Sequence, residues 1–235
     1  MNSIALKPIN LLQQKGPQGF SFLMNLDGLL SDSLQAHYSS WNEILSKHQI
    51  ELTQIQFEKM LGLRDADFLN QLLKFSKKTF SLSDRNQLIA EKNQLYLQFV
   101  KYLNEDDLLP GVRNFLVGAK RIQIPIAIIT ENANASFVIE RSGLKPMIQL
   151  ILDGNLTPHG KPDPFIYLKA SEILKYPVNQ CIVFENTQIG LEAAIRAKTK
   201  IVGIGDAKKL QDADLVFSDF KTIRAFEIIN WFRIM

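Results

Sequence analysis

One cysteine, Cys181, is all that the 235-residue chain contains. A single thiol excludes a disulfide framework and a multi-thiolate zinc centre, and it suits a reducing cytoplasm. Long hydrophobic runs are missing too. No stretch approaches the ~18 uninterrupted apolar residues of a membrane helix. Lys7, Pro8 and Asn10 break the one apolar stretch near the amino terminus, so no secretory signal is expected. Charge of one sign is scarce: 27 Lys and Arg against 24 Asp and Glu leave +3, with no long basic run. Neither nucleic acid nor a membrane is therefore expected as a partner. Internal repeats and low-complexity tracts are absent. What is present is 46% hydrophobic and 22% charged residues, enough for a core and incompatible with a disordered or fibrous chain. The length admits one large domain, or a core with a smaller companion.

Glycine and proline punctuate this chain informatively. Lys15-Gly16-Pro17-Gln18-Gly19 closes an amino-terminal arm, residues 1–19. Residues 20–26 then read as a short apolar strand that ends at Asp27-Gly28. From about Ser33 to Leu103 Gly and Pro nearly vanish and apolar spacing becomes helical. Trp41, Ile44 and Leu45 form one stripe; Phe68, Leu69, Leu72 and Leu73 another; Leu88, Leu95, Phe99 and Leu103 a third. An acidic linker, 104–107, and Leu109-Pro110-Gly111 end this helical insert. Beyond it strands alternate with helices: strands at 122–129, 181–184, 201–204 and 215–217, helices at 133–142, 164–175, 188–197 and 220–232. The pattern predicts an α/β fold, a doubly wound parallel-sheet (Rossmann-like) core from residues 1–32 and 105–235, with a small helical cap domain, 33–104, inserted after the first strand. In such a fold the ligand site lies at the carboxyl ends of the strands.

Four strand ends or strand-end loops carry polar residues. Asn25 and Asp27 are two apart in an extended segment and can share one pocket, although Asp-Gly is also an ordinary turn. Thr130-Glu131-Asn132 follows an apolar strand. A hydroxyl and backbone amides there can hold phosphate oxygens, or Thr130 or Asn132 simply caps a helix. In Gly160-Lys161-Pro162-Asp163-Pro164 a lysine stiffened by proline offers a positive charge to an anionic oxygen, or it is one more solvated surface lysine. Glu185-Asn186-Thr187 ends a buried strand with oxygen ligands suited to a hard cation such as Mg²⁺, or with a helix cap.

In this order and spacing, with Glu-Asn-Thr-Gln-x-Gly-x-x-Ala from Glu185, the chain resembles the haloacid dehalogenase superfamily and its β-phosphoglucomutase-like branch, from about Phe20 to the carboxyl terminus. His37 and Trp41, four apart on one helix face, and Lys92-Asn93 also fall where that branch has similar residues. The resemblance implies a Mg²⁺-dependent phosphatase or phosphomutase acting on a small phosphorylated metabolite. It implies Asn25 at the nucleophile position, Asp27 as acid/base, and metal ligands at Asp27, Glu185, Asn186 and Asn25. Thr130, Glu131, Asn132 and Lys161 are implied as substrate contacts. His37 reads as a substrate contact or a support of Asp27, or else as a satisfied cap histidine. Arg64 reads as a contact to a distal phosphate or as a solvated arginine, and Trp41 as cap core.

Two departures from the family pattern matter. The family's nucleophile is an aspartate, and a neutral amide lacks the charge to attack phosphorus. Its fourth motif ends in Glu-Asp or Asp-Asp, whereas Glu185-Asn186 has lost one anionic ligand, so Mg²⁺ is expected to bind weakly or not at all. The expected function is thus a catalytically impaired relative that keeps a pocket for a phosphorylated metabolite or phosphate, without need of Mg²⁺. An active Mg²⁺-dependent phosphatase or β-phosphoglucomutase-like enzyme is the alternative if the asparagines are engineered or are bypassed by water that Asp27 activates. A non-catalytic interaction protein with a vestigial pocket is the second. Oligomeric state is not legible in the sequence.

Overall fold

The structure, a computed structural model, describes residues 19–76 and 78–234. All of the amino-terminal arm but Gly19 lies outside the described residues. The first strand, β1 (Ser21–Met24), is wholly buried and forms the middle of the sheet. It pairs in parallel with β2 (Ile126–Ile129) on one side and β4 (Cys181–Glu185) on the other. The short β3 (Leu150–Leu152) extends the sheet beyond β2, while β5 (Lys200–Ile204) and β6 (Leu215–Phe217) extend it beyond β4. The order is β3-β2-β1-β4-β5-β6, all parallel. The chain winds outward from β1 to β3 and returns to β4 on the other side. The switch point therefore lies between β1 and β4, where an open α/β sheet binds its ligands.

Strand alternation divides the core in two. Phe22, Met24, Ile126, Ile128, Ile182 and Phe184 face α5 (Val112–Arg121), α6 (Ala135–Arg141) and α9 (Ala225–Ile234). Leu23, Ala127, Ile129, Cys181 and Val183 face α7 (Phe165–Leu174) and α8 (Gln188–Ala197). Four helices lie between β1 and α5 in sequence: α1 (Leu34–Lys47), α2 (Gln54–Lys59), α3 (Asp65–Leu73) and α4 (Leu82–Val100). They enclose a third apolar cluster of their own, with Trp41 stacked on Phe68 at 4.9 Å. The two chain crossings that join these helices to the sheet run side by side. Leu109 N–H donates to the Leu30 carbonyl at 3.0 Å, and Asp32 N–H to that of Asp107 at 3.1 Å.

Several boundaries differ from the sequence reading. The strand read at 122–129 begins at Ile126, because residues 122–125 close α5: Gln123 takes φ 57° and Ile124 N–H caps Ala119. Helix α5 was not read at all, although Val112, Phe115, Leu116 and Ala119 make a helical stripe; Gly118 and the basic end obscure it. Three-residue β3 was also missed. The last helix starts at Ala225 rather than 220, since Asp219 accepts from Lys221 N–H and holds a turn there. In α4 the inward face is Leu88, Lys92, Tyr96 and Val100, not the stripe through Leu95, Phe99 and Leu103; Phe99 is exposed.

Candidate functional site

The carboxyl ends of β1, β2 and β4 converge beneath α1 to α4. After β1 the chain turns at Gly28, whose φ of 68° suits glycine; a side chain there would run into Leu34 and Asn186. The turn returns the chain so that Ser33, at the start of α1, faces Asp27. The Asp27 carboxylate is thereby surrounded by donors. Oδ1 accepts from Ser33 Oγ at 2.7 Å, Asn132 Nδ2 at 2.9 Å, Tyr96 OH at 3.1 Å and His37 Nε2 at 3.2 Å, and Oδ2 accepts from Thr130 Oγ1 at 3.3 Å. Burial pushes this carboxyl up. Attraction to His37 and hydrogen bonds from His37, Ser33 and Asn132 outweigh burial and hold it well below the usual carboxylate range. In this geometry Asp27 is an ionised acceptor of hydrogen bonds. Tyr96 is its complement: burial, then the charge of Asp27, pushes the phenol well above its ordinary value, so it stays a donor.

A relay of buried polar groups continues into the helical layer. Lys92, fully buried, donates to Asp65 Oδ1 at 2.7 Å and contacts His37 Nδ1 at 3.2 Å. The His37 ring thus stands between the Lys92 ammonium at Nδ1 and the Asp27 carboxylate at Nε2. Asn93 Nδ2 donates to the other oxygen of Asp65, and Asn93 Oδ1 accepts from Asn134 of the sheet layer at 2.7 Å. Lys92 also lies over the rings of Trp41 and Tyr96, at 5.4 and 5.3 Å, which further compensates its burial.

Glu185, at the end of β4, is fully buried and fully used. Oε1 accepts from Lys161 Nζ at 2.5 Å and Tyr167 OH at 2.7 Å. Oε2 accepts from Asn186 N–H and from the N–H and hydroxyl of Thr187. Gly190 makes room for it, because a Cβ there would overlap the carboxylate. Lys161, 2% exposed, spends a second proton on the Ile129 carbonyl at 3.3 Å. Burial and the nearby Glu185 charge raise the Tyr167 phenol well above its ordinary value.

Between these two carboxylates Asn25 and Asn186 form a neutral bridge. Asn186 Nδ2 donates to the Asp27 backbone carbonyl at 3.1 Å, and Asn25 Nδ2 donates to Asn186 Oδ1 at 2.8 Å. The carbonyl acceptor fixes the amide orientation, since the reverse would set oxygen against oxygen. A dication placed here would meet an amide NH₂ and a carboxylate, Glu185, whose oxygens are already spent. These residues do not fit Mg²⁺, which is held through carboxylate oxygens. Among the described residues no three His, Cys, Asp or Glu side chains cluster as a metal site.

A cavity of about 60 Å³ opens onto Asn25, Asp27, Thr130, Glu131, Asn132 and Lys161 from the sheet side, and His37 from above. Its far wall is apolar and includes Leu34, Met60, Leu61 and Leu63, with Trp41 contributing an edge. The volume corresponds to a small ion or about two waters, far below the 300–1,000 Å³ of pockets for drug-sized ligands. Arg64 does not line it. Its guanidinium bonds Asp67 at 2.7 Å and the carbonyls of Thr157 and Pro158 at 3.3–3.4 Å, fastening the α2–α3 loop to the sheet layer. Glu131 Oε1 accepts the Lys161 backbone N–H at 2.8 Å, while its Oε2 is buried without a partner. Sequence reasoning missed Ser33, Tyr96, Asp65 and Tyr167. The four-residue spacing of Leu88, Lys92, Tyr96 and Val100 was the available signal for Tyr96.

Comparison with known proteins agrees with this architecture. The chain is 27% identical over 196 residues to β-phosphoglucomutase of Bacillus subtilis strain 168, covering 83% of this chain and 87% of that one. It is 26% identical over 215 residues to the phosphorylated carbohydrates phosphatase of Thermotoga maritima, covering 88% and 95%. The crystal structure of a β-phosphoglucomutase from Clostridium difficile superposes with a TM-score of 0.87 at 26% identity, covering 92% of this chain and 99% of that one. The haloacid dehalogenase-like hydrolase family matches residues 22–204, and to that family, in its β-phosphoglucomutase-like branch, the chain belongs.

Proposed function

We propose that this phosphatase- and phosphomutase-related protein has its phosphoryl-transfer step disabled and uses the capped cavity to hold a small oxyanion: phosphate, or the phosphoryl end of a metabolite. The observation that carries the reading is the bridge from Asn25 through Asn186 to the Asp27 carbonyl. The resemblance assigns positions 25 and 186 to an attacking carboxylate and an anionic metal ligand, and two uncharged amides stand there instead. Loss of a covalent nucleophile typically lowers turnover by about 10⁴–10⁶-fold. The ligand class follows from the relatives, named as a phosphoglucomutase and a phosphatase of phosphorylated carbohydrates. A sugar phosphate is larger than the cavity of about 60 Å³, so its sugar would need room beyond it. No described helix is long and apolar enough to cross a membrane, and the lone thiol of Cys181 is the reason we assign the cytoplasm.

The test is a phosphoenzyme trap. The unaltered chain and the Asn25→Asp, Asn186→Asp double variant are incubated with Mg²⁺ and acetyl phosphate and weighed by intact-protein mass spectrometry. The reading predicts no phosphoryl adduct on the unaltered chain and an adduct on the variant. An adduct on the unaltered chain overturns it.

A further inference from the structure

Among the residues lining the cavity, Glu131 is the acid that is only half used. Its side chain is 7% exposed, Oε1 accepts the Lys161 N–H, and Oε2 is buried with no partner. The other orphaned side-chain oxygens, of Ser31, Ser142 and Thr157, belong to residues that do not line the cavity. Glu131 directly follows Thr130, at the strand end where an oxyanion would sit. The charges that face it are accounted for elsewhere. Lys161 is turned to Glu185; Arg64, on the α2–α3 loop, is spent on Asp67 and two carbonyls; Asp67 repels it; and Tyr167 of α7 keeps its proton. On the sheet side of the cavity the carboxylates of Asp27 and Glu131 stand beside the ammonium of Lys161, which is already paired with the buried Glu185. An ionised Glu131 would oppose any phosphate-type group, and no metal-fitting donor set is there to offset it.

We propose that Glu131 enters the ligand-bound state as the neutral acid, its Oε2–H donating to an oxygen of the bound oxyanion, so that the cavity takes up one proton with each phosphate-type group it binds. The orphan acceptor becomes a donor to the ligand, and of the two sheet-side carboxylates that line the cavity one loses its charge. Burial already pushes the Glu131 carboxyl up, against the opposing pull of Lys161 and Arg64, which lowers the cost of that uptake. The proposal deepens the oxyanion reading above and rests on it.

Sulfate is the probe, because it remains a dianion from pH 5 to 8 and contributes no proton of its own. Titration calorimetry at pH 7 in two buffers of different ionisation enthalpy should show about one proton taken up per sulfate, with affinity rising up to about tenfold per pH unit as pH falls from 8. E131Q keeps an acceptor for the Lys161 N–H and presents a permanent donor. It should bind sulfate with no proton uptake and with little dependence on pH, its fold checked by circular dichroism. Uptake that survives in E131Q belongs to another group and overturns the proposal while the oxyanion reading stands. Sulfate binding by the unaltered chain without uptake overturns it in the same way. Failure of sulfate to bind either protein at either pH overturns the proposal and the oxyanion reading together.

Discussion

Replacing Lys161 with methionine strands a carboxylate that has no water to turn to. Glu185 is 0% exposed, and its oxygen lies 2.5 Å from the Lys161 ammonium. Methionine fills much of the lysine stem, so the change removes charge more than packing. Breaking a buried ion pair from one side costs about 3–5 kcal/mol. Tyr167, Thr187 and the Asn186 amide still donate to Glu185, which places this case near the lower end, about 3 kcal/mol. At about 2–4 °C per kcal/mol for a domain of this size, the melting temperature should fall by about 6–12 °C. Adding Glu185→Gln should recover most of that. The glutamine oxygen can accept from residues 186 and 187 while its NH₂ donates to the Tyr167 oxygen, so no charge is left alone. The double variant should lie within about 1 kcal/mol of the unaltered protein. Differential scanning calorimetry on the three proteins reads all of this. A Lys161→Met protein that melts with the unaltered chain, or a double variant that loses as much as the single, would refute the reasoning.

Three further outcomes are expected. The folded Asp27 carboxyl lies below its ordinary value of 3.8, so its stabilisation is complete above about pH 4 and drains away as pH falls further; urea midpoints should therefore drop more steeply between pH 5 and 3 for the unaltered chain than for Asp27→Asn, and parallel curves would contradict this. Tyr96→Phe deletes the hydroxyl that donates to Asp27 and accepts from Asn132 at 2.8 Å; a loss of about 1–2 kcal/mol in urea unfolding is expected, and no loss would show the bonds to be dispensable. Asp67→Ala should change stability by less than about 1 kcal/mol, because the Arg64 pair is partly exposed. A loss well above about 1 kcal/mol in urea unfolding would contradict this.

The parallel core was legible because its signals are local. Runs such as Ile126–Ile129 and Cys181–Glu185 end in polar residues, and each is followed by a helix with apolar spacing. Asn25, Asp27, Thr130, Asn132 and Lys161 could be singled out since they sit at those ends, and the structure brings all five to one cavity. What stayed hidden depends on tertiary contact. Lys92 and Tyr96 sit on an inward helix face where a lysine reads as surface, and only Asp65, His37 and the aromatic rings around it explain its burial. Arg64 was read toward a distal phosphate or toward solvent, but its course was set by carbonyls more than 90 residues away. Thr187 and Tyr167 complete Glu185, and no spacing in the sequence announces that arrangement.

We propose that neutral amides at residues 25 and 186 silence phosphoryl transfer on an otherwise intact scaffold, and steady-state turnover measures this. The unaltered chain and the Asn25→Asp, Asn186→Asp variant are assayed side by side in Mg²⁺ against a panel of sugar monophosphates, with released phosphate as the readout. A rise of at least about 10⁴-fold is expected in the variant, from a baseline indistinguishable from a protein-free control. Turnover by the unaltered chain at about 1 s⁻¹ or faster, within the ordinary range for enzymes, would contradict it.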